Sequence, residues 1–347
     1  MSASAAPATA TMTAAQAAEL AVIERSGFIE SRHIGSAVVL DPDGAVYASV
    51  GTPEAPVLTR SCLKPVQAVA MMDAGVPLAG EAAVLATASH RSEAEHVRVV
   101  EAMLADAGLD ETALQCPAVA PADPDFRYLT RAEGRQSSRV FFNCSGKHAA
   151  FLAACVRNGW DPAAYLAPDS PVQQAVAEAV EQYCGAPSDF LGTDGCGAPV
   201  HAMPLTRLAR GIGQIAAGAS EPARLLTEAV LEHPWAIDGH GRPNAVAIER
   251  LGVLAKFGAE GVMVMGTRDG WAVAVKCLDG SNRITSMVAL ELLAHAGAID
   301  AEAALPVISD LAPQITGGID EYGAPAVVGQ VRAGSGLYDA MHGREQS

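Results

Sequence analysis

One tetrapeptide, Ser61-Cys62-Leu63-Lys64, carries the residue types that nucleophilic chemistry requires. It lies where turn and strand residues give way to a helical pattern, and positions three apart share one face of a helix. The spacing therefore predicts that the Ser61 hydroxyl and the Lys64 amine lie within hydrogen-bonding distance. A serine nucleophile needs a neighbouring base, and a lysine is a base only when burial or a second cation leaves it neutral. Backbone N–H groups at the helix start would stabilise an oxyanion.

The same spacing also fits a helix-capping serine followed by an exposed lysine. The surrounding residues favour catalysis, because Pro65 follows Lys64 and residues 66–72 form an apolar segment typical of a buried helix. A lysine at the root of a buried helix is poorly explained as a solvated surface group.

A second lysine, Lys276, lies inside an apolar segment at 271–278 that predicts a strand. One interpretation places it on the outward face of a half-exposed strand. The other makes it a second cation that lowers the pKa of Lys64, or a base for Ser89.

Two cysteines lie in polar surroundings that fit a metal site. Cys144 precedes Lys147 by three residues, and Cys196 lies in a glycine-rich loop beside Asp194. Buried structural thiols, a disulfide and a zinc site are three competing interpretations. Two thiolates favour Zn²⁺, with an aspartate or a neutral lysine amine as a further ligand.

Composition limits the partners and the compartment. The chain of 347 residues carries a net charge of −16, from 39 acidic and 23 basic residues, and no stretch clusters lysine and arginine. Nucleic acids and anionic membranes are therefore not expected partners. Seven cysteines without framework spacing predict free thiols and a cytoplasmic location.

The order of predicted elements indicates one domain. Residues 1–18 are predicted to be a disordered leader, 19–340 a single hydrolase domain and 341–347 a tail. Strands are expected within 20–50, with a hairpin turn at 41–44, and again at 261–265, 271–278 and 326–332. The segments between them are mostly helical, with helices expected near 171–183, 203–217, 222–232, 245–256 and 284–297. Residues 116–140 are expected to be an irregular excursion. This order predicts an α/β fold whose antiparallel sheet takes strands from both chain ends.

Four ordered motifs resemble the rhizobial-type L-asparaginase II family, the third structural class of asparaginases, over nearly the whole chain. They are Arg60-Ser61-Cys62-Leu63-Lys64-Pro65-Val66-Gln67, Asn143-Cys144-Ser145-Gly146-Lys147-His148, Asp194-Gly195-Cys196-Gly197-Ala198-Pro199 and Lys256-Phe257-Gly258-Ala259-Glu260-Gly261.

The resemblance implies a serine β-lactamase/glutaminase-like fold, a homodimer, and hydrolysis of L-asparagine to L-aspartate and ammonia. It implies that Ser61 is the nucleophile and Lys64 its base, with a second pair at Ser89 and Lys276. Zinc would help to position the substrate.

The remaining site residues follow from the same resemblance. Its implied zinc ligands are Cys144, Lys147 and Cys196. The expected substrate-binding residues are Arg60, His90, Gly146 and Asp194. His90 and His148 are expected to support the site, whereas His33, His96 and His201 are interpreted as structural or surface residues.

One departure concerns the second serine. The family pattern Ser-His-Ser-Gly-Glu is replaced here by Ser89-His90-Arg91-Ser92-Glu93, so a bulky cation stands near Ser89. Two alternatives therefore stay open: an amidase for another amide such as glutamine, and a zinc-stabilised amino-acid-binding protein. A β-lactamase or penicillin-binding relative is disfavoured, because Lys-Thr-Gly and Ser-Asp-Asn are absent from the sequence.

Overall fold

The computed structural model describes residues 10–343, which form an α/β structure with one large and one small antiparallel sheet. Its strands are β1 (Ala18–Arg25), β2 (Phe28–Leu40), β3 (Val46–Val50), β4 (Val57–Leu58), β5 (Phe190–Thr193), β6 (Pro199–Met203), β7 (Leu254–Gly258), β8 (Val262–Gly266), β9 (Ala272–Cys277), β10 (Ile315–Ile319) and β11 (Pro325–Ala333).

The helices fall mostly between the two groups of strands. They are α1 (Lys64–Asp73), α2 (Gly80–Thr87), α3 (Ala94–Asp106), α4 (Pro124–Ala132), α5 (Ser145–Asn158), α6 (Pro171–Cys184), α7 (Leu205–Ala216), α8 (Glu221–Glu232), α9 (Pro243–Leu251), α10 (Thr285–His295), α11 (Ala301–Leu311) and α12 (Ser335–His342).

The large sheet joins the two ends of the chain. Its strand order is β10-β11-β1-β2-β9-β8-β7, with β3 also paired to β2. β1 pairs antiparallel with β11, from Ala21 opposite Ala333 to Arg25 opposite Gly329. The predicted antiparallel sheet built from both chain ends, with a helical region between them, is therefore confirmed.

The sheet centre is covered on both faces. Every residue of β9 is buried, whereas a strand with one solvated face alternates between buried and exposed residues. α7 and α10 both pack against β2, β8 and β9. The centre of the sheet is thus a rigid base for the residues that follow its strands.

The second sheet, in the order β4-β6-β5, lies beside the predicted nucleophile. The β6 carbonyl of His201 accepts hydrogen bonds from both the N–H and the hydroxyl of Thr59. This sheet therefore fixes the segment that leads into Ser61.

Three segments differ from expectation. The part of the predicted 1–18 leader that the structure describes is ordered, since Met12 is 3% exposed and Ala14–Gln16 form a 3-10 helix; residues 1–9 lie outside the described part. The predicted tail is helical up to His342, and residues 344–347 are not described. The excursion at 116–140 contains α4, which begins at Pro124 behind the Asp123 cap.

No helix within residues 10–343 is both long enough and apolar enough to cross a membrane.

Candidate active site

Ser61 lies in a strained segment at the start of the central helix. It belongs to the 3-10 helix Arg60–Leu63, which continues directly into α1 at Lys64. Arg60 has φ +48°, a conformation that side chains other than glycine rarely adopt. Such strain persists only where the surroundings hold it, and it concentrates at functional sites.

Gly258, at the end of β7, packs directly against this segment. A Cβ atom at position 258 would lie 3.1 Å from Arg60 Cβ, 3.2 Å from Cys62 Sγ and 3.3 Å from Ser61 N. A side chain at 258 would therefore press on the backbone that presents Ser61.

The Lys64 amine points to Ser89. Lys64 is 1% exposed, and its Nζ donates to the carbonyl of Ala88 and, over 3.2 Å, to Ser89 Oγ. Ser61 Oγ has no hydrogen-bond partner among the residues that the structure describes. The expected hydrogen bond between Ser61 and Lys64 is thus not formed, because both amine contacts lie toward the segment after α2.

A third lysine, Lys256 on β7, completes the cluster. Its Nζ donates to Ser89 Oγ over 2.9 Å and to the Phe257 carbonyl over 2.6 Å. The side chain is fully buried. Burial, followed by the charge of Lys64, lowers the pKa of Lys256 to about 7. Ser89 therefore bridges two lysines, one of which is neutral just above neutral pH.

Lys276 does not reach Ser89, which corrects the expected pairing. Its Nζ donates to the carbonyls of Glu260 and Cys277, over 2.7 Å in the second case. Lys256 takes the expected place of Lys276. The sequence contained a signal for this: Gly252 ends α9 in a left-handed conformation, so the apolar residues after it belong to a strand and not to a helix.

Ser61 lines a narrow cleft that has almost no free volume in this structure and that also contains an ion pair. Ser61, Lys64, Gln67, Lys147 and His201 line it, together with Arg60 and Asp194. Arg60 Nε donates to Asp194 Oδ1 over 2.8 Å, and the Gly195 N–H donates to the same oxygen. The cleft thus places three cationic side chains and the carboxylate of Asp194 around the serine.

The three expected metal ligands come together on one side of this cleft. Cys144 and Lys147 lie at the start of α5, and Cys196 lies in the loop between β5 and β6. All three are buried, and Lys147 Nζ lies 3.2 Å from Cys196 Sγ. The two thiols are donors that zinc accepts, so Cys144 and Cys196 fit the implied metal, whereas the Lys147 amine must lose its proton before it can act as a ligand.

The two thiols influence each other strongly. A hydrogen bond from Cys196 holds the pKa of Cys144 well below its usual range, with the charges of Lys64 and Lys147 acting in the same direction against burial. The same hydrogen bond, followed by burial, raises the pKa of Cys196. Burial works to lower the pKa of Lys147, but Cys196 and Cys144 raise it overall. One thiolate beside an ammonium is the expected charge state without metal.

His90 supports the Ser89 segment from behind. Its Nδ1 accepts from the Ser92 N–H over 3.1 Å, and its Nε2 lies 2.8 Å from Ser145 Oγ. Burial, followed by the charges of His96 and Lys64, lowers the pKa of His90 well below its ordinary value. A neutral His90 therefore fixes the backbone after Ser89, while its substrate-binding role stays a prediction.

Two further positions have structural explanations in the described chain. A Cβ at Gly146 would overlap the Leu85 carbonyl, so glycine permits α5 to pack against α2. His148 Nδ1 lies 2.7 Å from the Tyr165 hydroxyl, and burial, followed by the charges of Lys147 and Lys64, lowers the pKa of His148 well below its ordinary value.

The departure at Arg91 falls in a bent segment. Arg91 is half-buried, and its carbonyl accepts from the Asp123 N–H over 2.8 Å. The next residue, Ser92, has φ +61°, a conformation in which glycine is favoured. The segment after Ser89 is therefore held to the 116–140 excursion.

One comparison with known proteins identifies a family. A model of the family described as L-asparaginase II matches residues 21–333. A search of the curated proteins finds no match.

Solved structures with similarity to the chain include glutaminase and β-lactamase proteins. Mglu in its glutamate form is 13% identical at a TM-score of 0.42, covering 74% of this chain and 59% of that one. A β-lactamase from Mycobacterium bovis is 13% identical at 0.42, with 75% and 94% coverage. A Bacillus glutaminase is 13% identical at 0.43, with 78% and 91% coverage.

Proposed function

The chain belongs to the L-asparaginase II family, and on that premise we propose that it hydrolyses the side-chain amide of L-asparagine to L-aspartate and ammonia. The main support for this proposal is the hydrogen-bonded chain Lys64–Ser89–Lys256, which lies behind the cleft that Ser61 lines. A free serine hydroxyl beside a buried base system is the arrangement that acyl transfer needs.

In this proposal Ser61 is the nucleophile and Lys64 the group that takes its proton. Ser89 gives its hydroxyl proton to neutral Lys256 and receives a proton from Lys64 in return. Lys64 is then neutral and can accept the proton of Ser61. The net result is movement of one proton from Ser61 to Lys256. Lys256 is suited to receive it because its pKa lies near 7.

The two half-reactions then balance. Ser61 Oγ bonds to the amide carbon, the C–N bond breaks, and the departing nitrogen takes the stored proton back through Lys64 to leave as ammonia. Water attacks the acyl-serine ester, and its proton passes to neutral Lys256 through Lys64 and Ser89, as in the first half-reaction. Cleavage of the ester bond releases aspartate, and the proton returns to Ser61 Oγ.

Arg60 and Asp194 are proposed to hold the two charged groups of the amino acid. Free α-carboxylate and α-ammonium groups match a guanidinium and a carboxylate placed together. Binding would exchange the internal ion pair of 2.8 Å for two pairs with the substrate. This arrangement favours a free amino acid over a peptide amide.

Cys144, Lys147 and Cys196 are proposed to hold Zn²⁺, with Asp194 close to the site. When bound, the ion would supply a fixed positive charge that helps to orient the substrate. We expect about one tightly held zinc per chain after dialysis, measured by elemental analysis. Full activity in a metal-free protein would contradict the assignment of these three residues to the active site.

The decisive experiment measures ammonia release from L-asparagine and L-glutamine by the purified protein and by Ser61→Ala. We expect release from asparagine and a loss of at least about 10³-fold in the variant. Ser49→Ala, an exposed serine on β3, is the matched control. Circular dichroism and zinc content check that Ser61→Ala is folded.

Each other outcome contradicts one part of the proposal. Substantial activity in Ser61→Ala would reject the nucleophile. Release from glutamine alone would leave an amidohydrolase with a different substrate. Saturable asparagine binding without ammonia release would favour an amino-acid-binding protein.

A further inference from the structure

A second cluster of metal-binding side chains lies at the end of β9, outside the proposed active site. His33 is on β2, Cys277 is the last residue of β9, and Asp279 lies in the turn that follows. The register brings them together, because Gly35 lies opposite Cys277 and the two strands run antiparallel. Neither the cleft at Ser61 nor the cysteines beside it include any of these residues.

The donor atoms converge on one point. His33 Nδ1 lies 2.9 Å from Asp279 Oδ2, Cys277 Sγ lies 3.0 Å from Asp279 Oδ1, and the sulfur lies 3.8 Å from His33 Nδ1. One atom of each residue lies within 4.8 Å of the others. Zinc bonds of about 2.0–2.3 Å at tetrahedral angles place ligand atoms about 3.3–3.7 Å apart. Side-chain shifts that bring a single oxygen of Asp279 between His33 Nδ1 and Cys277 Sγ would therefore form three corners of a zinc tetrahedron.

We propose that His33, Cys277 and Asp279 form a second, dissociable Zn²⁺ site. An imidazole, a thiolate and a carboxylate are the three ligand types that zinc takes in proteins. His33 and Cys277 are 6% and 0% exposed, whereas the Asp279 side chain is 48% exposed. The buried donors would hold the ion from the protein side, and Asp279 marks the side open to solvent, where water completes the coordination.

The polar contacts of His33 agree with a dissociable ion. Its Nε2 is buried and has no hydrogen-bond partner among residues 10–343. Tightly held zinc histidines normally donate this second N–H to a carboxylate or carbonyl, and loss of such a partner weakens metal binding about 10–100-fold. The site should therefore fill with added zinc and empty with a mild chelator.

Binding exchanges a proton for the ion. Without metal, the Cys277 thiol donates to Asp279 Oδ1. On binding, the S–H bond breaks, its proton goes to solvent, and sulfur and the carboxylate oxygen bond to zinc. No oxidant or reductant takes part.

The cluster is connected to the backbone behind the nucleophile. Asp279 Oδ1 also accepts the Ser281 N–H over 2.8 Å, and Asn282 Nδ2 donates to the Gly258 carbonyl over 3.0 Å. Gly258 is the residue that packs against Ser61 N. A bound ion would stabilise the turn at 279–282 and, through it, the β7 end.

The test compares zinc uptake by the full-length protein and its variants. Dialysed protein is titrated with ZnCl₂ by calorimetry, and bound metal is counted after gel filtration. We expect wild type to take up about one more equivalent than Asp279→Ala, and His33→Gln to bind at least about 10-fold more weakly. Asp125→Ala, an exposed carboxylate on α4, is the control.

A cobalt titration identifies the sulfur ligand independently of activity. A thiolate ligand gives bound Co²⁺ a charge-transfer absorption, so the titration uses a Cys144→Ser, Cys196→Ser background in which the first site is removed. In that background Cys277→Ser should lose the absorption and the control Cys155→Ser should keep it. Equal zinc uptake by wild type, Asp279→Ala and His33→Gln would overturn the proposal. So would an unchanged cobalt signal in folded Cys277→Ser. Because these measurements do not use ammonia release, their failure is distinguishable from failure of the proposed asparaginase activity.

Discussion

Ser89 has a different chemical position from Ser61 although both are serines close to Lys64. Ser89 is buried between two amines, whereas Ser61 lines the cleft without a hydrogen-bond partner in the described chain. A serine held by two lysines is suited to pass a proton between them. A serine free to rotate in a cleft is suited to attack a substrate.

The first prediction concerns the pH dependence of turnover. Lys256 accepts the proton only when neutral, and its pKa is lowered to about 7. Turnover should therefore rise as pH increases through about 7, and protonation should abolish it at lower pH. Lys256→Met should lower kcat at least about 10²-fold, and the rise of kcat with pH near 7 should be absent from the pH profile of the variant. If kcat of the variant still rose with pH near 7, the rise would belong to the titration of another group.

The second prediction concerns stability at the same residue. A folded pKa below the unfolded value means that the unfolded chain binds more protons, so stability rises with pH above about 7 toward the unfolded pKa of Lys256. Below pH 7 the folded protein must bury the ammonium. Lys256→Met should thus raise the melting temperature more at pH 6 than at pH 9. An equal shift at both pH values, measured by differential scanning calorimetry, would contradict the burial argument.

The sequence predicted the types of residue in the site better than it predicted which of them contact one another. Ser61, Lys64 and Ser89 were assigned catalytic roles, and the structure places Lys64 against Ser89. The sequence predicted a role for Lys276 and none for Lys256, because only tertiary packing shows which of the two lysines reaches Ser89. Strand alternation tells which residues share a face, but it does not tell how far a flexible lysine reaches.

At the scale of elements, the end of β7 supports the start of α1. The third prediction is that Gly258→Ala lowers kcat at least about 10-fold and stability by about 1–3 kcal/mol, since the new methyl group would press on Ser61 N and Cys62 Sγ. Gly343→Ala is the control, because a Cβ there meets nothing within 4 Å. Normal activity and melting temperature for Gly258→Ala would show that the contact relaxes freely.

Helices were easier to predict than the connections around the site. Helices expected near 171–183, 222–232 and 284–297 are observed within a few residues of those bounds, because apolar periodicity and capping residues mark them locally. β7 was missed and assigned to a helix ending at 256. Its pairing with β8 is the tertiary contact that decides its structure, from Leu254 opposite Gly266 to Gly258 opposite Val262.

At the scale of the whole molecule, the outer edge of the large sheet exposes apolar residues. Ile319 is 76% exposed and Val327 68% exposed on β10 and β11, with Tyr322 between the two strands at 86%. An edge strand with unpaired backbone groups and apolar side chains is a site for association. It is the surface that we expect to be buried in the homodimer that the family resemblance implies.

The fourth prediction tests this edge. Ile319→Lys combined with Val327→Lys should shift the protein from dimer to monomer in light scattering at micromolar concentration, since charges on an edge strand oppose pairing. Leu129→Lys, on exposed α4, is the control. A dimer that persists in the double variant would place the interface elsewhere.

The origin of the large sheet was predictable because its strands alternate in hydrophobicity at both ends of the chain. The position of β10 was not predicted, since Ile315–Ile319 contains two glycines and its residues after Ile315 are half-buried or exposed. The composition of this segment therefore does not predict a strand.

The pairing of β1 with β11 also has a consequence during synthesis. Arg25 and its partner Gly329 are separated by most of the chain. At about 5–20 residues per second, a ribosome needs about 15–60 s to make the residues between them. Throughout that time the N-terminal strand has one open edge, and the helices behind Ser61 emerge before the sheet is complete. For most of its synthesis the nascent chain therefore keeps one edge of β1 open to wrong pairing.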